Sequence, residues 1–192
     1  MNKLIAAALA AACLFTFASA DNFKVSKLPK NYYKYDQEFK AAAKEQGVPL
    51  VLLKSIALTE NMSMRKNTKG YNTNGTIDYG LMQINSIHLD YYGLTEDEIL
   101  DPKTNIVTAA KILKQIIEKH GYSWDSIGRY HSATQKYKEI WTKRVKKSMI
   151  AILKMDKSLG PQKMVQDGVT VALNTVKRAK AVMVEIKELR SN

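Results

Sequence analysis

Cysteine is nearly absent: the chain holds one, Cys13, inside an N-terminal apolar run. Beyond that run, cysteine nucleophiles, disulfide frameworks and thiolate metal sites are excluded. Histidine is scarce as well. His88, His120 and His131 lack metal-ligand spacing and no HExxH segment occurs, so neither a metal nor another cofactor is expected. Glycine-rich phosphate loops are missing, which removes the nucleotide-binding classes built on them. After the first 20 residues no apolar run is long enough to span a bilayer. Acidic side chains are in short supply, 18 against 30 Lys and Arg, for a formal net charge of +12.

What is present begins with residues 1–20, which read as a signal peptide. Lys3 supplies a short positive start, residues 4–17 an apolar run, and Ala18-Ser19-Ala20 a small-residue cleavage site. The rival is an uncleaved anchor, for which the run is short. Lipidation of Cys13 is disfavoured, because Ala10 stands where a lipobox prefers Leu and apolar residues continue past the cysteine. Cleavage would leave about 170 residues, enough for one domain resting on an apolar core. The expected address is the periplasm or the cell exterior, with no stable membrane span in the mature chain. Losing Lys3 leaves 29 basic against 18 acidic side chains, a net charge of +11. Such a balance favours polyanions. Nucleic acid is not the expected partner of an exported protein; cell-wall peptides and anionic lipid surfaces fit that compartment, as does a merely lysine-rich soluble surface.

Residues 21–34 form a lead-in. Residues 36–46 carry an acid at the start and end before Gly47, the signals of a short helix. Pro49 then opens PLVLLKSIALTE, apolar on nearly every face, which predicts a buried helix delivering Glu60 at its C-terminal end. Residues 61–75 read as loops and turns, and residues 76–85 as short strands after a turn at Asn74-Gly75. Thr95 with Glu98 has the capping-box pattern. Helices are predicted over residues 104–120 and 134–157, with a short segment over 124–130. Gly160-Pro161 is the clearest break. Beyond it Val165, Val169, Ala172, Val176, Ala179, Met183 and Ile186 form a nearly heptad seam on an amphipathic helix, part of an appendage over residues 158–192. That seam either packs back on the domain or meets a partner or a second copy.

Glu60 is the first acid to weigh. Desolvation raises a carboxyl pKa, and the negative end of a helix dipole acts in the same direction. A carboxylic acid kept protonated near neutral pH is what general-acid cleavage of a glycosidic bond needs. Position alone also allows a solvent-facing Glu at a fraying helix end.

Four stretches carry a resemblance. DYGLMQINS, at residues 78–86, resembles the GLMQIN signature of lytic transglycosylases of the soluble-transglycosylase (SLT) type, and is most similar to the small members that accompany secretion and conjugation machines. YDQEFKAAAKEQGVPLVLLKSIALTENMS is similar to that family's opening helices, the second of which ends in the catalytic Glu. ILDPKTNIVTAAKILKQII resembles its Asp-Pro-x-x-Asn-Ile helix, and IGRYHSATQKYKEIWTKRV its Tyr-containing segment. The four occur in the family's order and cover residues 35–145. The resemblance implies a mainly α, lysozyme-like (α+β) fold with a small β element beside the active-site cleft, over residues 35–157. It implies cleavage of peptidoglycan glycan strands at the bond between N-acetylmuramic acid and N-acetylglucosamine, closing a 1,6-anhydro ring, with Glu60 as acid and then base. Tyr79, Gly80, Met82, Gln83 and Asn85 fall on the strand beside the sugar, and Gln83 has both donor and acceptor for an N-acetyl group. Tyr130 matches the Tyr whose hydroxyl lies near the catalytic acid. The sequence departs from the family at Asn61, where Ser is usual, and at His131 and Ala133. His131 either contacts sugar or is a partly buried polar residue.

Asp78-Tyr79-Gly80 also resembles the c-type lysozymes, in which an Asp at that place pairs with an upstream Glu. A second carboxylate is what retaining hydrolysis requires. Asp78 is therefore an auxiliary candidate: partner of Glu60 in hydrolysis, stabiliser of positive charge during transglycosylation, or a turn cap after Thr76. Three functional expectations follow. The leading one is a lytic transglycosylase opening the wall for a secretion or conjugation apparatus, reached through the C-terminal helix. The others are a lysozyme-type hydrolase using Glu60 and Asp78, and a non-catalytic wall-binding assembly factor.

Overall fold

A computed structural model describes residues 22–159 of the chain. The signal peptide and the helix expected after Gly160 lie outside the described residues. The architecture is mostly helical, with one small antiparallel sheet.

Helix α1, Asp36–Gln46, buries Phe39, Ala42 and Ala43 and stops at Gly47, whose φ of 67° is the left-handed conformation that ends helices. It starts at Asp36 itself, so this acid is the first helical residue and not its cap; its carboxylate turns inward to Lys54. Helix α2, Leu50–Glu60, follows Pro49 and is buried along Leu50 to Leu58, Lys54 and Ser55 included. Its lack of a polar face is explained by its position: it is the central helix, packed along α7, Gln135–Met155, on one side and on α1 on another. Helix α1 also packs on α5, Pro102–His120.

The sheet has the order β1-β2-β3, formed by Lys69–Tyr71, Ile77–Tyr79 and Ile84–Asn85. Strand β1 lies inside the stretch expected to be only loops and turns. Its KGY carries no apolar alternation, and its register comes from pairing Gly70 with Asp78 across the Asn74-Gly75 turn. The sheet is followed by α3, Ile87–Tyr92, a short helix that the sequence pattern did not announce and that buries no residue fully. Next come α4, Glu96–Leu100, with the expected Thr95–Glu98 capping box, then α5, and α6, Trp124–Gly128, capped by Ser123. A 3-10 turn, Lys157–Leu159, follows α7.

One buried ionic network ties the two ends of the described chain. Lys54 Nζ donates to Asp36 Oδ1 at 2.7 Å and to Asp156 Oδ2 at 3.2 Å, and lies 3.9 Å from the centre of the Tyr32 ring. The Tyr32 hydroxyl donates to Asp156 at 2.9 Å. The lead-in thus reaches the core at Tyr32, which is fully buried. Burial would push the Asp156 carboxyl up, but hydrogen bonds from Ser158 and Tyr32 and the Lys54 charge together hold it below its usual value.

Candidate active site

Glu60 stands at the last turn of α2, where nine consecutive buried residues bring it to the edge of the core. Its Oε1 accepts the Trp141 indole N–H at 2.8 Å. Burial raises its carboxyl pKa from 4.5 to about 8; the Trp141 hydrogen bond opposes this, the Asp78 charge adds to it and the Arg144 charge opposes it. Burial is therefore the dominant cause, and it favours the protonated form of Glu60.

Asp78 lies on β2 and its carboxyl is clamped. Asn85 Nδ2 donates to Oδ1 at 2.7 Å and Asn72 Nδ2 to Oδ2 at 2.9 Å. Asn85 is itself fixed, donating to Thr76 Oγ1 and accepting from the Ile87 N–H. Opposite Asp78 on β1 stands Gly70, and a Cβ there would come within 3.0 Å of Gln83 Oε1 and 3.5 Å of Asp78 Cβ. The bare backbone at position 70 leaves room for the Asp78 and Gln83 side chains.

Successive residues of a strand face opposite sides, so Tyr79 points away from Asp78. It is buried, and its hydroxyl donates to Glu96 Oε2 at 3.1 Å while Lys69 lies over its ring. Its side chain is not brought to Glu60. Met82 also contributes no exposed side chain, being fully buried; its backbone N–H donates to Asn105 Oδ1 at 2.8 Å and its carbonyl accepts from the Tyr130 hydroxyl at 2.9 Å. Gly80 has φ of 78°, and a Cβ there would sit 2.6 Å from Asn105 Nδ2, so both the backbone conformation and the space require glycine. Gln83 takes a left-handed φ of 48° without being glycine, a strained conformation at a functional candidate. Its Nε2 donates to the Gly80 carbonyl at 2.8 Å and reaches the Thr68 carbonyl at 3.4 Å, which leaves Oε1 as its free acceptor.

Tyr130 stands electrostatically close to Glu60. Burial, then the charges of Glu60 and Asp78, push its hydroxyl well above the usual value. That hydroxyl donates to Met82, however, and the group that donates to Glu60 is Trp141. The Tyr130 ring stacks on Trp141 at 5.8 Å and 15°, and the His131 ring at 5.7 Å and 2°. Desolvation lowers the His131 imidazole pKa, opposed by the Asp78 charge and assisted by the Arg144 charge. The structure therefore gathers Glu60, Asp78, Tyr130 and His131, with Gln83 and Asn85 held near Asp78, and directs the Tyr79 and Met82 side chains into the body.

Three residues that the pattern did not single out as site residues hold the arrangement. Trp141 belongs to the stretch IGRYHSATQKYKEIWTKRV, and its helical spacing with Val145, Ser148 and Ile152, all buried, was the available signal that it faces inward. Asn61, a departure from the usual Ser, is buried. Its Nδ2 lies 2.8 Å from the Arg65 carbonyl, 3.0 Å from Thr68 Oγ1 and 3.3 Å from the Gly80 carbonyl. It ties the residue after the acid to the turn after β2. Asn105 does the same from α5, donating to the carbonyls of Tyr79 at 2.9 Å and Ile99 at 3.0 Å.

A half-buried carboxylic acid at a helix end beside a short antiparallel sheet fits a lysozyme-like fold. The Transglycosylase SLT domain model matches residues 37–154, more than half of the chain, and the chain belongs to that family. Invasion protein IagB of Salmonella typhimurium strain SL1344 is 36% identical over 102 residues, covering 51% of this chain and 63% of that protein. Protein IpgF of Shigella flexneri is 33% identical over 102 residues, covering 51% and 66%. A peptidoglycan-binding-like protein of Escherichia coli O157:H7 is 36% identical over 91 residues, covering 42% and 54%. The matched segment thus spans less than two thirds of each relative's length.

Proposed function

We propose that the chain is a peptidoglycan lytic transglycosylase that cleaves the β-1,4 bond between N-acetylmuramic acid and N-acetylglucosamine, with Glu60 as the only acid–base group. The observation that carries this reading is the Glu60 carboxyl, raised to about 8 by burial at the end of α2 in an SLT-family fold. Protonated Glu60 gives its proton to the glycosidic oxygen, the bond from that oxygen to C1 of the muramic sugar breaks, and positive charge develops on the ring. The resulting carboxylate then takes the proton of the muramic C6 hydroxyl as its oxygen bonds to C1. Glu60 ends protonated, no water is consumed and the product carries a 1,6-anhydro end. Asp78, negatively charged and clamped by Asn72 and Asn85, supplies stabilisation for the positively charged ring. Gln83 Oε1 is an acceptor for an N-acetyl N–H.

The same clamp favours a second reading, a lysozyme-type hydrolase in which Asp78 supports attack by water. A third, a wall-binding assembly factor, needs no chemistry at Glu60. Wall release by purified protein and by Glu60→Gln distinguishes it: the variant is expected to lose at least about a hundredfold in rate, and unchanged release would overturn the enzymatic reading. We further propose export to the periplasm or cell exterior and local opening of the wall for a secretion or conjugation apparatus, engaged through residues 165–189. The similarity to an invasion protein supports that context.

A further inference from the structure

Trp141 contacts the acid through an atom with a single capability. An indole N–H donates and cannot accept, so whatever the state of Glu60, the oxygen facing Trp141 Nε1 at 2.8 Å must be an acceptor. In a protonated carboxyl the better acceptor is the carbonyl oxygen and not the hydroxyl oxygen. Oε1 is then the carbonyl oxygen, and the proton resides on Oε2. Among the described residues no other hydrogen bond reaches the Glu60 carboxyl, so nothing competes for this assignment.

The indole is held firmly enough to enforce it. Trp141 is 3% exposed, and the Tyr130 and His131 rings stack on it. Tyr130 is in turn fixed through its hydroxyl to the Met82 carbonyl, and the Met82 N–H is fixed to Asn105 on α5. The acid's orientation is thus set by a chain of contacts running from α7 to the turn after β2 and on to α5.

We propose that Trp141 is a positioning residue for the reaction inferred above: by fixing Oε1 as the acceptor, it assigns the transferable proton to Oε2 and presents that oxygen to the glycosidic bond. This rests on the transglycosylase reading. The same oxygen then receives the C6 hydroxyl proton, so the carboxyl need not rotate between the two halves of the reaction. Charges facing Glu60 come from Asp78 on β2 and Arg144 on α7, and the Tyr130 hydroxyl, on the segment after α6, feels the Glu60 charge in turn. None of these hydrogen-bonds the carboxyl among the described residues, whereas Trp141 binds a particular oxygen.

Two replacements test it: Trp141→Phe, and 3-benzothienylalanine at position 141, which keeps the bicyclic shape and removes only the N–H. The Glu60 titration is followed by carbon NMR on protein labelled at the glutamate carboxyl carbons, and release of product from soluble glycan strands is followed against pH. Loss of a hydrogen bond to the ionised carboxylate is expected to raise the Glu60 midpoint by about one pH unit. The alkaline limb of the rate profile should move with it, and kcat should fall by about tenfold or more with KM nearly unchanged. An unchanged midpoint in the benzothienylalanine protein overturns the proposal, as does a moved midpoint with an unchanged kcat. If wild-type protein and Glu60→Gln release product equally, the transglycosylase reading has failed and the catalytic role of Trp141 falls with it. The NMR midpoint still reports whether the indole holds the carboxyl.

Discussion

At the scale of the residue, Glu60 carries opposite demands. Folding places a carboxyl where its charged form is poorly solvated, and the proposed reaction uses the proton that it thereby retains. Between pH 4.5 and about 8 the unfolded chain has lost the Glu60 proton while the native chain keeps it. The native state then binds more protons, so this group's contribution to stability falls as pH rises through that window and is level on either side. Glu60→Gln removes the titration. The variant should therefore gain stability relative to wild type as pH rises across the window, on the order of a few kcal/mol in total, read as the difference in urea midpoints. A difference that does not change with pH would show that the carboxyl is solvated in the native state. The placement of Glu60 at the end of a buried helix was legible from the apolar run that precedes it. Its hydrogen-bond donor was not: Tyr130 was the group expected beside it, and nothing in local sequence tells which of two stacked aromatic residues, 130 and 141, turns its polar edge to the acid.

At the scale of the element, the turn after β2 is the joint on which the site depends. Gly80 at φ 78°, Asn61 from the end of α2, Asn105 from α5 and the Met82 backbone meet there. Gly80→Ala would put a Cβ in a left-handed conformation and against the Asn105 amide, and is expected to cost on the order of 3 kcal/mol, visible as a lowered Tm and a loss of wall-cleaving activity. A Tm within experimental error of wild type would mean that Asn105 can move aside and that the joint is softer than its contacts suggest. The long helices were legible because their apolar spacing or uniform apolarity leaves little choice. Strands β1 and β3, of three and two residues, were less so, since their register is set by cross-strand pairing and side-chain amides. Tyr79 and Met82 were expected at the sugar because DYGLMQINS was read as a strip; strand alternation and the turn at Gly80 divide it, sending the Asn85 amide to Asp78 and the Gln83 amide to the Gly80 carbonyl, and burying the Tyr79 and Met82 side chains.

At the scale of the molecule, helix α2 is central to stability and to the site alike. At its middle Lys54 joins α1, the lead-in tyrosine and the end of α7, and at its end Glu60 meets Trp141 of the same α7. Lys54→Met would leave Asp36 and Asp156 facing each other without a cation, at an expected loss of about 3–5 kcal/mol in urea unfolding; a near wild-type midpoint would show that water already solvates this network. That network was invisible in the sequence, where Lys54 interrupts an apolar helix and its partners stand 18 and 102 residues away. Family and fold were legible, because four stretches in order resemble SLT transglycosylases and the family model spans the same region. In the proposed reaction one carboxyl acts as acid and then as base, and no water enters the product. Mass spectrometry of the fragments that the mature chain releases from purified sacculi tests it most directly. Fragments lighter by one water, ending in 1,6-anhydro-muramic acid, are expected, and they should disappear with Glu60→Gln. Fragments with ordinary reducing ends would contradict it and make Asp78 the partner of Glu60 in a hydrolase.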